Sequence, residues 1–93
     1  MYTLQIEHGI KDFAMWKDAF DRDPVNRAAS GVLAHRISRP VDDPRYVVVE
    51  LDLARRGQAE ELLAKLRQQV WNSPAAAPAL DGPPKARILE SAG

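Results

Sequence analysis

Apolar positions along this chain recur every second residue, then every third or fourth, then every second through two segments, then every third or fourth, and finally every second again. That order predicts strand, helix, strand, strand, helix, strand. From Tyr2 to His8 the chain alternates, with Tyr2, Leu4, Ile6 and His8 on one face and Thr3, Gln5 and Glu7 on the other. This is the pattern of a half-buried strand. Asp12 is a good N-cap for the helix that follows, where Phe13, Trp16, Lys17 and Phe20 fall at helical spacing and three aromatics share a face. Asp23-Pro24 ends that helix, because a residue before proline avoids helical angles, and Ser30-Gly31 marks a break before the next strand.

Val32 to Arg39 and Arg45 to Leu53 read as the second and third strands, joined into a hairpin by Pro40-Val41-Asp42-Asp43-Pro44. In the third, Val47, Val49, Leu51 and Leu53 oppose Tyr46, Val48, Glu50 and Asp52, and the β-branched density predicts a central position. Ala59, Leu62, Leu63, Leu66 and Val70 define the apolar stripe of a second helix, with Glu61 and Lys65 spaced to pair on its exposed side. Its start is poorly capped, since Ala54, Arg55 and Arg56 precede a flexible Gly57. Asn72 to Pro84, rich in alanine and proline, reads as a loop, and Lys85 to Glu90 as a short last strand.

Two such crossover units predict one α+β domain over residues 1–93, a ferredoxin-like βαββαβ sandwich with the first and third strands in the centre. Two helices cover only one face of a four-stranded sheet. The open face would then carry Thr3, Gln5, Glu7, Ala34, Arg36, Val48, Glu50 and Arg87, a mixture that two sheets could hide by pairing face to face. In that interior each charge needs an opposite partner, and Glu7, Glu50, Arg36 and Arg87 supply two of each sign.

Composition narrows the chemistry. Thirteen basic residues balance thirteen acidic ones, so no net field favours nucleic acid or an anionic membrane. Arg36 with Arg39, and Arg55 with Arg56, follow no glycine-rich loop and read as solvated or ion-paired. The absence of cysteine removes thiolate nucleophiles and cysteine-ligated metals. The N-terminal residues show no signal-peptide pattern, and no run is apolar enough to span a bilayer, so a cytoplasmic protein is expected.

Leu4-Gln5-Ile6-Glu7-His8, Asp12-Phe13 with Trp16 and Phe20, Ser30-Gly31-Val32, Arg39-Pro40-Val41-Asp42-Asp43-Pro44, Tyr46-Val47-Val48-Val49 and Ala86-Arg87-Ile88 together resemble the dimeric α/β-barrel superfamily. That superfamily includes antibiotic-biosynthesis monooxygenases, haem-degrading monooxygenases, cyclase-like proteins and small members without assigned activity. The resemblance implies a homodimer whose sheets form a barrel, and ligand pockets between sheet and helices within each subunit. Haem-degrading members combine a tryptophan, an asparagine and a haem-ligating histidine. Here Trp71 and Asn72 lie at a helix end and both histidines in the first half, so no haem is expected, nor any other cofactor.

The candidate site follows from these elements. His8 ends the first strand on its apolar face and reads either as a hydrogen-bonded packing histidine or as a general base toward a bound phenol or enol. Phe13, Trp16 and Phe20 are core aromatics or walls of an aromatic-ligand pocket, and His35 shares the parity of Leu33 and Ile37, toward the same layer. Two histidines are too few for a metal site. Two functions remain open: a small-molecule-binding protein or cofactor-independent monooxygenase or cyclase acting on aromatic or polyketide-like compounds, and a homodimeric structural or interaction module without enzymatic activity. Space between the first helix and the sheet beside His8 discriminates them.

Overall fold

The computed structural model describes residues 1–93 and has the predicted element order. Strands β1 (Tyr2–Ile10), β2 (Val32–Ser38), β3 (Tyr46–Leu53) and β4 (Leu80–Glu90) form one sheet in the order β2-β3-β1-β4, every neighbouring pair antiparallel. The helices α1 (Phe13–Asp21) and α2 (Arg56–Lys65) cover one face. Leu4, Ile6, His8 and Ile10 of β1 and Val47, Val49, Leu51 and Leu53 of β3 are buried beneath them, so the alternation in the two central strands sets the face as expected. Four antiparallel strands under two helices make a ferredoxin-like α+β fold.

α1 begins where Asp12, in extended backbone, accepts the Met15 amide on Oδ2 at 2.8 Å. Residues 22–31, which return the chain to β2, are pinned by their own side chains. Asp23 and Asn26 both take positive φ (54° and 50°), a region short carboxylate and amide residues tolerate. Asp23 accepts the Arg27 amide at 2.9 Å, and Ser30 Oγ donates to the Val25 carbonyl at 2.8 Å. Gly31 takes φ 95°, a backbone conformation that side chains with a Cβ rarely adopt, so glycine suits this corner.

Four features depart from the sequence expectations. First, β1 runs two residues further, to Ile10, and β4 starts at Leu80 rather than Lys85, so the loop ends at Ala79. The prolines fit because β4 is an edge strand and because its register jumps there: Glu7 pairs with Lys85 but Gly9 with Asp81, which leaves Gly82, Pro83 and Pro84 outside the ladder. Second, the second helix changes pitch at Leu66, and Leu66–Val70 is a π-helical turn closed by Trp71 N–H donating to the Leu66 carbonyl at 2.8 Å. Third, Lys65 reaches Ser30 Oγ at 3.4 Å instead of Glu61, and the ion pair on α2 is Arg56 with Glu60. Fourth, the poorly capped start of α2 is secured by Gln58, whose Oε1 accepts the Arg55 amide at 3.1 Å.

Candidate functional site

The aromatic face of α1 forms a continuous ladder. Phe13 lies 5.8 Å from Trp16 and Trp16 5.1 Å from Phe20, ring centre to ring centre, and two histidines meet the ladder edge-on: His8 against the middle ring, Trp16, at 6.5 Å and His35 against the end ring, Phe20, at 5.4 Å. Spacing of three and four residues on one helix produces this stack directly. Two arginines flank it, Arg27 over Phe20 at 3.8 Å and Arg39 over Phe13 at 4.1 Å.

Space does remain between α1 and the sheet beside His8. A cavity of about 90 Å³ lies there, lined mainly by apolar side chains. Its floor is the sheet, at Ile6, His8, Val49 and Leu51, and Trp16 and Phe20 form the α1 wall. Of the residues singled out in the sequence, His8, Trp16 and Phe20 line this cavity. Phe13 and His35 do not: Phe13 sits beyond Trp16 under Arg39, and His35 is exposed on edge strand β2 beyond Phe20.

His8 is 6% exposed, the one polar residue in the buried set. Its Nδ1 lies 2.8 Å from the Gly9 carbonyl. A carbonyl can only accept, so Nδ1 carries the proton and Nε2 holds the lone pair. Nε2 has no partner in the chain, yet no fully buried side-chain polar atom is left unpaired, so Nε2 keeps access to open space. Burial pushes the imidazole below its usual range, outweighing the Gly9 hydrogen bond, which favours the charged form. His8 is therefore a neutral imidazole with a free basic nitrogen beside an apolar cavity.

Three further lining groups were not assigned to the site from the sequence. Arg27 contributes from the turn after α1, held by a 2.8 Å hydrogen bond to the Phe20 carbonyl and a 3.3 Å ion pair with Asp23. Trp71 is turned toward Leu66 by the π-helical turn, and alanines 76, 77 and 79 complete the wall. Helical spacing extrapolated from Leu66 and Val70 does not place Trp71 there, since the change of pitch rotates it inward.

The open face of the sheet holds a separate polar network. Arg36 donates to both oxygens of Asp52, at 2.8 and 3.0 Å, and to Glu50 at 3.4 Å, while Thr3 Oγ1 donates to Asp52 at 2.9 Å. Asp52, absent from the four charges balanced in the sequence, is thus the main partner of Arg36. The guanidinium beside it holds the Asp52 carboxyl below the usual carboxylate range. The Tyr46 hydroxyl donates to Glu7 at 2.8 Å, which raises the phenol above its ordinary value.

No protein-family model matches the chain, and no curated protein matches it. Solved structures do. A putative antibiotic biosynthesis monooxygenase from Nitrosomonas europaea is similar with a TM-score of 0.71 and 17% identity, over 97% of this chain and 88% of that one. A protein of unknown function from Nitrosomonas europaea gives 0.67 and 19%, over 99% and 89%. A dimeric ferredoxin-like protein from an uncultured marine organism gives 0.64 and 16%, over 99% and 96%. At these identities the likeness establishes the fold, which is the one the sequence resemblance implied, and activity has to be argued from the site.

Proposed function

We propose that this chain is a homodimeric small-molecule-binding protein that takes a single aromatic ring bearing an acidic hydroxyl into the cavity between α1 and the sheet, with His8 Nε2 as proton acceptor. The observation that carries the reading is the state of His8: Nδ1 occupied, the ring neutral, and Nε2 unpartnered beside an apolar space. A phenol or enol O–H donates to that nitrogen, and moving its proton there leaves an anion and an imidazolium in a site of low dielectric. In the oxygenase version the ring carbanion form of the anion adds to dioxygen with two electrons to give a ring hydroperoxide, which then loses water with two more. The phenol gives up four electrons in all; one oxygen atom stays as the new carbonyl of a quinone, and the other leaves as water. The putative monooxygenase among the structural neighbours supports that version.

The cavity limits ligand size. An engineered cavity of roughly 150 Å³ takes benzene. The space here is about 90 Å³, so one ring enters only with some outward movement of the wall, and a multi-ring skeleton would have to extend beyond it. The same small volume favours the second reading, a homodimeric structural or interaction module without enzymatic activity.

Calorimetric titration with simple phenols, paired with oxygen uptake, separates the two. The wild-type protein is expected to bind, and His8→Phe, which keeps an aromatic ring against Trp16 but removes Nε2, is expected to lose binding and any oxygen uptake while remaining folded. Equal affinity in both proteins would sink the role of His8, and no binding in either would favour the second reading.

A further inference from the structure

We propose that the molecule taken up is an aryl acid, with its ring in the inner cavity and a short side chain leading out past Trp71 to a carboxylate held near Lys11. This rests on the reading of the inner cavity as a ring site and adds the substrate class. A second depression, a groove of about 480 Å³, opens on the outer side of the same wall. It shares Trp71, Ala77 and Leu80 with the inner cavity, so a partition of three residues separates the two.

The compartments differ in chemistry. The inner one is apolar apart from His8 and Arg27, and Arg27 is already engaged by Asp23 and the Phe20 carbonyl. The outer one presents Lys11, Asn72 and Ser73 and no acidic side chain. Lys11 is exposed and enters none of the ion pairs of the chain. Ser73 Oγ accepts the Ala76 amide at 3.2 Å and keeps its own proton to donate. An unpaired ammonium with hydroxyl and amide donors suits a carboxylate.

Volume is compatible with the same arrangement. The inner space holds at most a ring, so a larger ligand has to extend out of it, and on the far side of the shared wall it would meet cationic and hydrogen-bonding groups. Of the three partition residues Ala77 is small, and Trp71 and Leu80 are the two side chains a ligand would have to pass.

The test compares para-hydroxyphenylpropionate with the neutral para-ethylphenol by calorimetry, in the wild-type protein, Lys11→Met and Lys11→Glu. The acid is expected to bind more tightly than the phenol to the wild-type protein. Lys11→Met should weaken the acid about fivefold, as for an exposed ion pair, and leave the phenol unchanged. Lys11→Glu should reverse the preference, and added salt should weaken only the acid. If the phenol binds but the acid gains nothing, or if both respond equally to Lys11, the groove is not a carboxylate site while the ring site stands. If neither compound binds to the wild-type protein, the ring site fails and the aryl-acid assignment fails with it.

Discussion

At the scale of single residues the account turns on His8, a titratable ring at a position where an apolar side chain would be ordinary. Its folded pKa lies below that of the unfolded chain, near 6.5, so in acid the unfolded state takes up a proton that the native state refuses. Stability is therefore full above that value and falls as pH drops through it, until the native imidazole also protonates. Its slope should reach at most about 1.4 kcal/mol per pH unit. Urea unfolding of the wild-type protein and His8→Phe between neutral pH and pH 5 should show this loss in the former and not the latter. The parity that buries His8 was legible in the alternation of Leu4, Ile6 and His8. The tautomer was not, because it depends on where the Gly9 carbonyl points. Arg27 and Trp71 were hidden for a different reason: one sits in a turn held by two left-handed residues, the other after a change in helical pitch, and no periodicity crosses either.

Elements position the site, and their weak points are specific. Asp12 starts α1 and so fixes the angle at which Trp16 and Phe20 meet the cavity. Asp12→Ala should cost about 1 kcal/mol, read from thermal unfolding, by freeing the Met15 amide. Where β1 faces the register jump of β4, Gly9 allows close approach: an added Cβ would lie 2.7 Å from the Asp81 carbonyl oxygen. Gly9→Ala should destabilise by about 1–3 kcal/mol and speed amide exchange in residues 80–81, next to the cavity wall at Ala79 and Leu80. Unchanged exchange there would place the strain elsewhere. The first helix, the hairpin and both central strands were legible because amphipathic patterns and turn residues agree along them. The beginning of β4 was not. Composition alone made Asn72 to Pro84 a loop, whereas an edge strand tolerates prolines that fall in a gap of its ladder.

For the whole molecule, only 15 of 93 residues are buried, a small core even for this length, which makes association through the open face a natural source of further stability. That face combines Val48 and the partly exposed Leu89 with the Arg36, Asp52 and Glu50 network and the Tyr46 to Glu7 bond, so its charges are largely matched before a partner arrives. Sedimentation should report a dimer for the wild-type protein and a folded monomer for Val48→Asp, which sets an unpaired charge in the centre of the interface. A dimer that survives this change would move the interface to another surface. The proposed site nevertheless rests on one atom, His8 Nε2, and histidine-selective nitrogen NMR during titration with para-ethylphenol observes it directly. The predicted result is a shift at Nε2 that saturates with binding while Nδ1, held by Gly9, stays nearly constant. Binding that leaves both nitrogens of His8 unmoved would contradict the site.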